Sequence, residues 1–160
     1  MEASHNVFIS HLGEDDNHVQ NLKQRLGNLG YNIRNSSIDS TKHKDGRIPS
    51  KPVIERLLRR GINWAGTFIC LIGPETHSSA WVNYEISEAN RLGKRIVGVF
   101  LPGVDNNTTI PEEFKKYGGA TISWNSLDKL GDAMDGKDIP AENPDGTPRA
   151  PIYEVSRIRC

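Results

Sequence analysis

The residues best suited to chemistry lie in Thr76-His77-Ser78-Ser79-Ala80-Trp81-Val82-Asn83-Tyr84-Glu85. Trp81 and Glu85 stand one helical turn apart, so a helix puts them on one face. An aromatic plate beside a carboxylate suits a nucleoside: the ring shapes the pocket, and the carboxylate meets the sugar hydroxyls. The same spacing also serves a core aromatic beside a solvated glutamate. Ser79 is a natural N-cap for such a helix. A second group lies early in the chain, where Val7-Phe8-Ile9 runs into Ser10-His11 and then Gly13-Glu14-Asp15-Asp16. Ser10 and His11 would sit at the mouth of a strand, although a lone histidine there equally suits an ordinary loop. The acidic residues fit the first turn of a following helix, where the helix dipole favours negative charge.

The elements that must carry these residues follow from the apolar pattern. Short β-branched runs occur at Val7-Phe8-Ile9, at Thr67-Phe68-Ile69-Cys70-Leu71-Ile72 and at Arg95-Ile96-Val97-Gly98-Val99-Phe100-Leu101. Weaker ones are Tyr31-Asn32-Ile33-Arg34 and Ala120-Thr121-Ile122-Ser123-Trp124. Continuous rather than alternating apolar runs suit strands covered on both faces. Helical spacing appears at Val19, Leu22, Leu26 and Leu29, closed by Gly30, and again at Val53, Ile54, Leu57, Leu58 and Ile62, with Arg56, Arg59 and Arg60 on the wet side. A third helix is predicted from Ser79 to Leu92, with weaker ones after Pro111 and after Asn125. This alternation predicts an α/β, flavodoxin-like three-layer fold. Its five-stranded parallel sheet would have the order 2-1-3-4-5, and its ligand crevice would lie at the carboxyl ends of the first and third strands.

Two stretches stand apart. Asn35 to Ser50 is a polar loop, long enough to be functional or disordered, whose Asp39, Lys42, Lys44 and Arg47 would border the crevice. Residues 1–134 read as the folded domain and 135–160 as a mostly irregular segment holding Pro140, Pro144, Pro148 and Pro151, in which Ile152 to Ile158 could dock as an extended strip.

Several classes are disfavoured. The chain has 20 Lys plus Arg against 20 Asp plus Glu, which argues against a dedicated nucleic-acid binder. No apolar run reaches the ~18 residues of a membrane span, and no leader opens the chain, so a soluble cytoplasmic protein is expected. Cys70 and Cys160 make no disulfide framework, and the five histidines show no metal-ligand spacing. A G-x-G-x-x-G fingerprint and a P-loop are both missing. The third strand ends Ile72-Gly73-Pro74, without a phosphoacceptor aspartate.

The order Val7-Phe8-Ile9-Ser10-His11, acidic helix start, polar second loop, then Ser79-x-Trp81-x-x-x-Glu85 resembles the TIR domain. It is most similar to the bacterial TIR-like group that includes the signal-producing subunit of the Thoeris antiphage system, over about Asn6 to Met134. The resemblance implies NAD as substrate, with no bound cofactor, cleaved at the nicotinamide–ribose bond with the family's glutamate at Glu85. It implies a substrate site including Phe8, Ser10, His11, Ser79, Trp81, Asp39 and Arg47. It further implies an ADP-ribose-derived, cyclic product that signals to a downstream effector, and it allows a phage-derived trigger and a homo-oligomer. Two other classes stay open: a non-catalytic TIR-like interaction module, and a nucleoside deoxyribosyltransferase-like enzyme, which also uses a glutamate on such a sheet.

Overall fold

The computed structural model describes residues 6–12, 16–35, 51–135, 137 and 140–149. The elements are β1 (Asn6–Ser10), α1 (Asp16–Asn28), β2 (Asn32–Asn35), α2 (Lys51–Trp64), β3 (Thr67–Ile72), α3 (Ala80–Arg91), β4 (Arg95–Phe100), α4 (Glu112–Tyr117), β5 (Thr121–Ile122) and α5 (Leu130–Met134). Short 3-10 turns at Thr76–Ser78 and Trp124–Lys129 precede α3 and α5. The strands form one sheet, every pairing parallel, in the order β2-β1-β3-β4-β5. The expected fold and strand order are therefore found.

Alternation along each strand divides the core into two layers. Val7, Ile9, Ile69, Leu71, Val97 and Val99 face α1 and α5, and the other face carries Phe8, Phe68, Cys70, Ile72, Ile96 and Phe100 against α2, α3 and α4. Because both faces are covered, β3 is buried along its whole length, and its run TFICLI is apolar without a break. Ser10, two residues on from Phe8, shares the parity that looks toward α2 and α3.

The apolar stripes are narrower than their spacing suggests. Leu29 lies beyond the end of α1 and is 69% exposed, because the chain leaves the core at Gly30, where φ is +91°. Leu57 is 45% exposed, and Ile54, Leu58 and Ile62 carry the buried face of α2. β5 is shorter than the predicted Ala120-to-Trp124 strand. It pairs only at Gly98↔Thr121 and Val99↔Ile122 before Ser123 starts the 3-10 turn by accepting from Asn125 N–H. The helix expected after Asn125 is accordingly a 3-10 turn followed by α5, with a kink at Ser126.

Residues 140–149 lie over the outer edge of β5. Glu142 N–H donates to Thr121 O, Thr121 Oγ1 donates to Glu142 O, and Ser123 Oγ donates to Pro144 O. Glu142 is 3% exposed. Burial alone would raise its carboxyl, but Lys129 at 2.7 Å and the Ser123 N–H outweigh that and hold it below the usual range. The Ile152-to-Ile158 strip lies outside the described residues.

β4 and α4 approach each other closely at Gly98. A Cβ there would come within 2.8 Å of the buried Phe114 ring and 3.0 Å of Ile72 Cδ1. Gly98→Ala is therefore expected to cost about 1–3 kcal/mol, measured as a lower denaturant midpoint at unchanged slope. An unchanged midpoint would contradict this packing.

Candidate active site

Two elements bring the site together. β1 ends in Ser10, whose Cα is in register with Cys70 of β3, at the carboxyl edge of the sheet. α3 starts at the same edge because Ser79 caps it, its hydroxyl accepting from Val82 N–H at 3.1 Å. The side chain of Asn83 anchors this helix start further. Its Nδ2 donates to His77 O at 3.2 Å and Ser79 O at 3.0 Å, and its Oδ1 accepts from Glu113 N–H of α4 at 3.1 Å. The buried residues of α3 are Val82, Glu85, Ile86, Glu88 and Ala89, so two carboxylic side chains stand among apolar ones.

Ser10 Oγ donates to Glu85 Oε1 at 2.6 Å, and the two residues are 0% and 1% exposed. Sequence spacing leaves Glu85 on a partly wet helix face, whereas the structure buries it beneath α3. Burial pushes its carboxyl up to about 8, while the Ser10 hydroxyl pulls the other way. Glu85 Oε2 is buried without a hydrogen-bond partner, a condition it shares with His77 Nδ1 among the described residues. The Cys70 thiol close by is pushed up by burial and then by the charge of Glu85.

The remaining candidates are placed as follows. His11 directly follows β1, is 8% exposed, and its Nδ1 lies 2.7 Å from Leu12 O, so that nitrogen carries the proton. Trp81 is half-buried against the α2–α3 side of the core and meets Tyr84 edge-on, with ring centroids 5.7 Å apart. Phe8 stacks on Phe68 in the core. Ser79 serves as the cap already described. Asp39 and Arg47 lie outside the described residues, as do all of residues 36–50.

Sequence reading overlooked Asn83 and Glu88. Asn83 follows no motif, and its three bonds depend on how the loop folds back. Glu88 is held by Arg91 and by Arg59 of α2, which keep its carboxyl down at about 2. The Glu88–Arg91 spacing alone could have signalled half of that cluster.

The buried Glu85 gives a titration with a definite sign. Between 4.5, its ordinary value, and about 8, the folded chain keeps a proton that the unfolded chain has released. Stability should then fall as pH rises through that window, by up to about 1.4 kcal/mol per unit, and level off above it. Glu85→Gln removes this dependence. The variant is expected to be more stable than wild type by ~1–4 kcal/mol at the alkaline end, with the gap closing toward the acidic end. Thermal melts of both proteins across the window provide the measurement, and parallel curves would contradict the burial of an ionisable carboxyl.

Residues 8–106 match the family model described as "Thoeris protein ThsB, TIR-like domain". A Bacillus cereus (strain MSX-D12) protein, "Putative cyclic ADP-D-ribose synthase ThsB1", is 30% identical over 63 residues, 39% of this chain and 33% of that protein. The match thus spans a third of the relative's length. Among solved structures, a 2-deoxyribosyltransferase from Bacillus psychrosaccharolyticus superposes with a TM-score of 0.59 at 17% identity, covering 76% of this chain and 89% of the other. The TIR domain of the Toll-related receptor TRR-2 from Hydra magnipapillata does so with 0.54 at 16% identity, covering 83% and 94%. At those identities the likeness is one of fold alone. The family match covers well over half of the sequence and includes the end of β1, β3 and α3 with Ser10 and Glu85, so the chain belongs to the Thoeris ThsB TIR-like domain family.

Proposed function

We propose that the protein cleaves NAD at the nicotinamide–ribose bond, with Glu85 as the catalytic carboxylate, and releases an ADP-ribose-derived, cyclic nucleotide as an antiphage signal to an effector. The observation that carries this reading is the buried Glu85 at the carboxyl edge of the sheet, one oxygen bonded to Ser10 and the other without a partner. Membership of the family and the name of the Bacillus cereus relative support it.

The chemistry needs little beyond such a group. When the bond from ribose C1′ to the pyridinium nitrogen breaks, its electron pair leaves with nicotinamide, which departs neutral and requires no general acid. The ribose becomes oxocarbenium-like, and an adjacent carboxylate stabilises that charge. Attack at C1′ by a nucleophile of the same molecule, with water excluded, closes a ring; attack by water gives ADP-ribose. In either case the nucleophile's proton passes to the carboxylate or to solvent. Glu85 must be anionic for this role, and burial opposes that. The cationic pyridinium would favour the anion, so substrate binding itself would help ionise the catalyst. His11, Ser79 and Trp81, with Asp39 and Arg47 from the loop, are the proposed substrate contacts, and Phe8 is proposed to form their floor.

The test is incubation with NAD and, separately, with deoxynucleosides, in buffer and in extract of phage-infected cells, with products read by mass spectrometry. NAD should yield nicotinamide and an ADP-ribose-derived product, and Glu85→Gln should lower turnover by roughly 10²–10³. kcat/KM should rise with pH along a limb near 8, since only the deprotonated carboxylate acts. A folded Glu85→Gln protein of near wild-type rate would overturn the proposal. Deoxyribosyl exchange in place of NAD cleavage would reassign the substrate.

A further inference from the structure

A carboxylate can offer either oxygen to a reacting centre, and a site that leaves both equivalent loses orientation. Here the two differ. Glu85 Oε1 accepts the Ser10 hydroxyl at 2.6 Å, while Oε2 is buried with no partner. Ser10 is itself 0% exposed, at the end of a strand paired with β3, and its hydroxyl is engaged by the carboxylate. The Cys70 thiol, its register neighbour, points its weak donor capacity at Leu71 O, 3.9 Å away, and so does not compete for the carboxylate.

We infer that Ser10 is a positioning residue: its single hydroxyl proton fixes Glu85 Oε1 and leaves Oε2 as the oxygen presented to the ribose. This rests on the NAD-cleavage reading and departs from the sequence-based expectation that Ser10 binds substrate directly. Donor and acceptor both sit on regular elements, β1 and a capped α3, so the carboxylate plane is set by the fold before any ligand arrives. A hydrogen bond of this kind also favours the anion over the acid, the direction in which Ser10 already acts on Glu85.

Ser10→Ala removes the donor; Ser10→Cys keeps the shape with a weaker one. Two measurements are made on the full chain: steady-state NAD cleavage against pH, and the titration of Glu85 by carboxyl-¹³C NMR. A positioning role should lower kcat by about 10- to 100-fold in the alanine variant, with KM changed by less than about threefold. The pH–rate limb and the Glu85 titration should both move upward by about one unit, with the cysteine variant in between. A raised KM with kcat, limb and titration unmoved would overturn the inference and return Ser10 to direct substrate contact. If the alanine variant does not fold, the cysteine variant carries the same comparison. If wild type leaves NAD intact, the titration alone decides: a shift upholds the Ser10–Glu85 coupling while the NAD reading fails, and no shift overturns both.

Discussion

Holding one carboxyl group out of water between a helix and a sheet is the constraint around which this molecule is arranged. An isolated buried carboxylate is costly, so the protein either neutralises it or supplies a partner. The fold does part of each: burial favours the protonated form, and a single hydroxyl at the end of β1 bonds one oxygen. That balance survives only if α3 cannot drift from the sheet. The Ser79 cap, the Asn83 bonds to the preceding loop and to α4, and the Glu88 ion pair to Arg59 of α2 all act on the same helix.

Glu85 and Glu88 make the role of environment plain, because they are three residues apart on one helix and are driven in opposite directions. Glu88 gains two guanidinium groups and stays ionised into strong acid, whereas Glu85 gains one neutral hydroxyl and resists ionisation. Arg59 reaches Glu88 from α2 and also touches Tyr84, on which Trp81 rests. The charged cluster thus ties α3 to α2 about one turn beyond the residue that is the candidate catalyst.

Much of this was legible in the residues. Strand order followed from continuous apolar runs alternating with helical spacing, and the end of the first strand and the start of the third helix fell where such sheets bind ligands. The burial of Glu85 was not legible, because a Trp-x-x-x-Glu spacing defines a shared face without saying whether that face looks at water. Leu29 and Leu57 misled for the same reason: periodicity counts apolar residues, whereas tertiary packing decides which of them are covered. β5 was overestimated because Ser123 and Trp124 continue its propensity, yet the Ser123 side chain turns to hydrogen bonds with Asn125 N–H and Pro144 O.

The segment at 140–149 has a consequence for how the protein is made. Translation delivers β5 before the residues that lie along its outer edge, so for a short interval the sheet ends in a two-residue strand with unsatisfied backbone groups. Glu142 then brings its backbone to Thr121 and its carboxylate to Ser123 and Lys129. Until those contacts form, during synthesis and refolding alike, the outer edge of β5 is open to pairing with a neighbouring chain.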